Sequence, residues 1–154
     1  MKLGIKKLHE NEWQLHIDSA FVHLDRYSLE LLYSNLEHLQ EMKQGQEGSV
    51  LSGLLKLTEK FLELSDAHMQ LFLREVKNQN LLILVLILED EGVKNKVLKN
   101  VGGIMSKQLV ADMKVTAKPL DADAIDAIKL TLELMFELES VGKIEFVSSN
   151  QKFI

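Results

Sequence analysis

One proline, Pro119, and eight glycines interrupt a chain of 154 residues. Proline removes a backbone donor and glycine raises the entropic cost of order, so their scarcity leaves long stretches free for helices. Hydrophobic residues at 46% and charged residues at 27% suit a chain that buries a core. The absence of cysteine removes disulfides, thiolate zinc sites and cysteine nucleophiles together, and it fits a reducing cytoplasm. A formal net charge of −5 has the wrong sign for a general phosphate-backbone binder, so nucleic acid is not an expected partner. The longest apolar run, Leu81 to Leu88, is far short of a bilayer span, and the first residues lack the apolar core of a signal peptide. A cytoplasmic protein without membrane insertion is expected.

The opening stretch breaks the helical pattern. Lys2 to Leu8 and Glu12 to Asp18 read as strands around the polar turn His9-Glu10-Asn11. Trp13, Leu15 and Ile17 alternate with Gln14, His16 and Asp18, the period of two of a half-buried strand. A second turn at Ser19-Ala20 leads into Phe21 to Leu24, which sets Ile17 opposite Val22, Leu15 opposite Leu24, and His16 opposite His23. Residues 2–25 thus read as a small antiparallel meander. A helix capped by Asp25 or Ser28 follows, with Leu29, Leu32, Tyr33, Leu36 and Leu39 inward and Glu30 and Glu37 outward.

The Gly- and Gln-rich residues 44–49 are the one credible linker, dividing the chain into residues 1–48 and 49–154. Both parts are acidic, so composition and period separate them, not charge. Beyond the linker the pattern is a series of helices. Ser49 caps one reaching Leu64, and Ser65 or Asp66 caps another through Val76. Leu81 to Leu88, leucine-rich and flanked by Asn78 and Asn80, is a buried helix. Asp90 caps the next, carrying Val93, Val97, Leu98 and Val101. Gly102-Gly103 interrupts, and Met105, Leu109, Val110 and Met113 mark a further helix. Asp121 starts the longest one, with Ile125, Ile128, Leu132, Met135 and Leu138 as its stripe and Gly142 as its left-handed cap. Ile144 to Val147 is extended. The expected fold class is α+β, mostly α: a meander and helix, then a multi-helix bundle.

Chemistry is sparse. Facing imidazoles of His16 and His23, with Asp18 and Asp25 as diagonal neighbours, form a candidate zinc or nickel site. The solvated face of an antiparallel sheet accounts for the same residues more simply. His9, His38 and His68 read as surface residues. Asp121-Ala122-Asp123-Ala124-Ile125-Asp126 lacks the glycine and the distal glutamate of a calcium loop, and its acids suit a helix N-terminus. Gly102-Gly103 has no lysine-serine pair to complete a phosphate cradle, and no G-x-S-x-G marks a serine nucleophile. No enzyme activity, metal or cofactor is expected. Six methionines, among them Met105, Met113 and Met135 at core spacing, fill the interior.

The stretch from Leu62 to Val76, LELSDAHMQLFLREV, resembles the opening of the C-terminal domain family of the flagellar motor switch protein FliG. There the form is L-x-D-x-x-I-Q-x-x-L-R-E-V, followed by a leucine- and alanine-rich segment. The order downstream is also similar. Leu81-Leu82-Ile83-Leu84 stands for the family's apolar helix and Lys94 to Asn100 for its basic helix ending in asparagine. Ala111-Asp112-Met113 stands for E-D-M, Pro119 for the proline of G-P-V-R, and Val141-Gly142-Lys143-Ile144 for the terminal G-E-I. The resemblance covers residues 54–147 and leaves 1–48 unmatched.

The family transmits torque through a ridge of charges that complements the stator. By resemblance, partner contact therefore falls on Leu86, Ile104, Lys107, Ala111 and Asp112. Leu86 or its neighbour stands where the family has a lysine, Ile104 where it has an arginine, and Ala111-Asp112 where it has an acidic pair. Its G-P-V-R arginine becomes Leu120 or Asp121, with Lys118 nearest, and Lys107 restores one cation. The resemblance implies a non-enzymatic protein-interaction protein of bacterial motility, with a rotor or stator-associated protein partner but no torque of its own. A helical adaptor unrelated to flagella, or a small metal-binding sensor at His16 and His23, stays open as the alternative.

Overall fold

A computed structural model describes residues 1–37 and 39–147; the expectation for His38 lies outside them. The chain forms two compact units, Met1–Glu47 and Gly48–Ile154.

In the first unit, strands β1 (Leu3–His9), β2 (Glu12–Ile17) and β3 (Ala20–Asp25) form an antiparallel sheet in the order β1-β2-β3. The turn between β2 and β3 is Asp18-Ser19. Asp18 takes a positive φ of 54°, a conformation that aspartate tolerates better than most residues. Its carboxylate accepts from the Lys2 backbone N–H at 2.7 Å, and its own N–H donates to the Lys2 carbonyl at 2.8 Å. Placing the turn there moves the pairing by two residues from the sequence expectation. Ile17 faces Ala20, Leu15 faces Val22, Trp13 faces Leu24, and His16 faces Phe21 rather than His23. A two-residue shift keeps every side chain on its expected face but changes its partner.

That face carries Leu3, Ile5, Leu15, Ile17 and Val22 and closes at Trp13 and Leu24. Helix α1 (Arg26–Leu36) begins where Asp25 accepts from the Ser28 N–H at 2.8 Å. Tyr27 is buried, whereas Tyr33, Leu36 and Leu39 are exposed, contrary to the inward stripe read from the sequence. Glu30, expected outside, is mostly buried and pairs with Arg26 at 2.7 Å.

In the second unit, Ser49 caps α2 (Val50–Leu57) by accepting from the Ser52 N–H at 3.0 Å. The helix does not run on to Leu64. Residues Thr58–Glu63 form a 3-10 helix, started where the Thr58 hydroxyl donates to the Leu55 carbonyl. The reason lies in a period of three: Thr58, Phe61 and Leu64 are all buried, and a 3-10 helix aligns residues three apart on one side. Then come α3 (Asp66–Glu75), α4 (Asn78–Ile87), α5 (Glu91–Asn100), α6 (Gly103–Val115) and α7 (Asp121–Ser140). Ser65 and Asp90 cap α3 and α5 through the N–H groups of His68 and Val93.

Helix α7 is the centre of this unit. It buries Ala124, Ala127, Ile128, Thr131, Leu132, Met135, Phe136 and Leu138, and α2, α3 and α4 pack against it. Helix α4 is apolar on every side because it lies between α7 and α6. After Gly142, at φ 79°, the chain returns to α3. Phe146 bridges Leu64, and the Glu145 N–H donates to His68 Nδ1 at 3.1 Å. His68 is therefore a half-buried fastening rather than a plain surface residue. No described helix is long and apolar enough to cross a membrane.

Candidate partner-binding surface on the sixth helix

Helix α6 buries little. Leu109 is buried, and Met105 and Met113, four residues to either side, are half-buried. Those three positions make one inward stripe at helical spacing. Val110, read from the sequence with them, is 40% exposed and points away.

The opposite stripe is Ile104, Lys107, Gln108, Ala111 and Val115, at spacings i, i+3, i+4, i+7 and i+11. All five are exposed, Ile104 by 90% and Val115 by 85%. Leu120, in the loop that follows, is 75% exposed. An isolated exposed leucine is ordinary, but this stripe sets two large aliphatic groups, Ile104 and Val115, at its ends with Lys107, Gln108 and Ala111 between them. Asp112 flanks that stripe, half-buried, with its Oδ1 accepting from Gln108 Nε2 at 2.9 Å. At the helix start Gly102 takes a φ of 86°. An open depression lined by Val101, Gly102, Gly103, Ile104, Met105 and Gln108 lies beside the first turn.

The structure thus brings Ile104, Lys107 and Ala111 together on one stripe with Asp112 beside it. Leu86 does not join them: it belongs to α4 and is half-buried. Val115 was missed by the sequence reading, although its place four residues beyond Ala111 was the available signal.

The start of α3 and the end of α5 are joined by a polar network. Asp66 accepts from Lys99 Nζ at 3.1 Å, from Asn100 Nδ2 at 3.2 Å, and lies 3.3 Å from Lys96 Nζ. Lys99, Asn100 and Lys96, in that order, hold the Asp66 carboxyl below its ordinary value of 3.8. Buried Asn100 also donates to the Lys96 carbonyl at 2.8 Å and accepts from Gln70 Nε2 at 3.3 Å.

The proposed histidine pair does not form as expected. His16 and His23 are diagonal neighbours with Phe21 between them, its ring centroid 5.9 Å from His16 and 5.7 Å from His23. His16 Nε2 lies 2.8 Å from Gln14 Oε1, and Asp18 and Asp25 are engaged in the turn and the α1 cap. Among the described residues no group of three or more His, Cys, Asp or Glu could hold a metal ion. His9 is exposed, with Nε2 4.0 Å from Glu12.

A family model of the FliG C-terminal domain matches residues 49–146. The chain belongs to the FliG C-terminal domain family. The match runs from the Ser49 cap of α2 to Phe146, the residue that bridges Leu64, so it takes in the helical unit and leaves the meander outside. No curated protein matches the chain. The FliG family is that of the flagellar rotor switch, a structural and interaction domain rather than an enzyme family. In this FliG-type domain the basic helix ending in asparagine is α5, and that asparagine, Asn100, is buried in the Asp66 network.

Proposed function

We propose that this chain is a non-enzymatic interaction module of the flagellar switch, acting on the cytoplasmic side, that docks a protein partner without generating torque. Residues 1–48 and 49–154 serve as separate domains, and the helical one carries the partner surface. Its contact residues are Ile104, Lys107 and Ala111, extended by Val115 and flanked by Asp112. Leu86 supports them from α4, which packs against α6.

The observation that carries this reading is the 90% exposure of Ile104 on a family-type domain whose relatives place charge there by resemblance. A charged ridge steers a partner at long range, and that steering weakens as salt screens it. An aliphatic ridge gives little steering and gains its free energy by leaving water on contact. The fitting partner is a rotor or stator-associated protein that presents an apolar groove.

Surface-plasmon binding of the full chain to purified rotor and stator cytoplasmic fragments tests this. Binding should change only a few-fold between about 0.05 and 0.5 M salt, a range in which the screening length falls from above about 10 Å to below about 8 Å and a charge-steered contact would weaken steeply. Ile104→Asp should weaken it at least about tenfold, the loss of roughly 1.4 kcal/mol. A steeply salt-sensitive contact that Asp112→Lys alone abolishes would overturn the proposal.

A further inference from the structure

The first unit has almost no core of its own. Among its described residues only Leu24 and Tyr27 are buried. Along the apolar sheet face, exposure rises away from that end: Trp13 and Leu15 are half-buried, Ile17 is 38% exposed, Val22 51%, Ile5 59% and Leu3 63%. The neighbouring residues on the other face, Lys6, Gln14, His16 and His23, are polar in the ordinary way. A three-stranded sheet needs its apolar face packed against something to be stable, and α1 reaches only the Leu24 end.

We propose that this face packs on the same face of a second copy of the chain, forming a two-fold symmetric sandwich of two meanders. Three observations select this occupant. Away from Lys7, which lies on this face over the Trp13 ring, the open part formed by Leu3, Ile5, Ile17 and Val22 is aliphatic and complements itself under a two-fold axis. Pairing through a strand edge is disfavoured, because the free edge of β1 carries Lys6, Lys7 and an irregularity between Lys7 and His9 that interrupts its register. The area also suffices for a weak dimer. The open side chains expose about 450 Å² per copy, and with their rim two copies bury about 1,000 Å², the lower bound of specific interfaces.

The geometry further selects the axis. Helix α1 occupies the Leu24 end, so the copies stack with their α1 helices at opposite ends and their strands antiparallel across the interface.

The chain has no cysteine and a single tryptophan, Trp13, so single-cysteine variants and Trp13 emission are clean probes of the full-length protein. Ile17 and His16 are adjacent in β2 and point to opposite faces. With a short bismaleimide, Ile17→Cys should give a covalent dimer and His16→Cys should stay monomeric. Sedimentation equilibrium should show a monomer–dimer transition, which Ile5→Glu moves to at least about tenfold higher concentration. An unchanged Trp13 emission in Ile5→Glu shows that the meander is still folded. If that emission shifts, the contrast between the two cysteine variants decides. Equal cross-linking of both variants, or a monomer at concentrations well above about 100 µM, overturns the proposal. None of these outcomes depends on the α6 ridge, so a failure here leaves the docking proposal standing.

Discussion

Asn100 and Asp66 meet at 3.2 Å, the amide of a buried side chain donating to a carboxylate that Lys99 and Lys96 also hold. The arrangement favours the ionised carboxyl, so the folded chain releases its proton at lower pH than the unfolded chain does. The stabilisation is complete above the ordinary value of about 4 and is lost as pH falls through the lowered folded value. Asp66→Asn should therefore be less stable than wild type at neutral pH, with the two stabilities converging as pH falls below the ordinary carboxylate value of 3.8. Urea midpoints followed as pH falls check it, and parallel curves would contradict it.

The two stripes of α6 should respond differently to truncation. Ile104→Ala and Val115→Ala remove exposed groups and should change stability by no more than about 0.5 kcal/mol. Leu109→Ala, at a buried position, should cost about 2–5 kcal/mol. Chemical denaturation of the three variants measures both. A large loss in Ile104→Ala would mean that the ridge is structural rather than a docking face.

In a strain made non-motile by loss of FliG, this chain should not restore swimming, even when fused behind the upstream domains of FliG. The motivation is the aliphatic ridge, which offers little of the charge complementarity that transmits force to a stator. Soft-agar migration is the readout, and a spreading colony would defeat the expectation.

Zinc should leave the melting temperature of the chain unchanged. Replacing His16 and His23 with alanine should move stability by about 0.5 kcal/mol or less, since both are exposed. A zinc-dependent rise that disappears in the double variant would restore the metal reading.

Period and caps made most of the fold legible. Ser49, Ser65 and Asp90 cap the helices that sequence assigned to them, because a short oxygen-bearing side chain before an apolar run has one strong local use. The meander was legible in its faces and not in its pairing. Alternation fixes which side a residue occupies, whereas register follows from which two residues turn, and Asp18 tolerates the left-handed conformation. The 3-10 segment escaped because Thr58, Phe61 and Leu64 also fit a frayed helix end. For the candidate site, the family resemblance pointed to Ile104, Lys107 and Ala111, but α6 carries aliphatic residues on opposite stripes. Only the packing of Leu109 beneath it tells which stripe is open.

Helix α7 has a consequence for synthesis. It follows α2, α3 and α4 out of the ribosome, yet all three pack against it. Until Met135 and Phe136 arrive, the growing chain holds its apolar helices without the element that covers them. His68 likewise waits for Glu145, 77 positions later. Domains fold as units during translation, and unfinished ones expose sticky surface. This one stays in that state until α7 is made, so its yield in cells should depend on translation speed and holding chaperones more than its finished stability suggests.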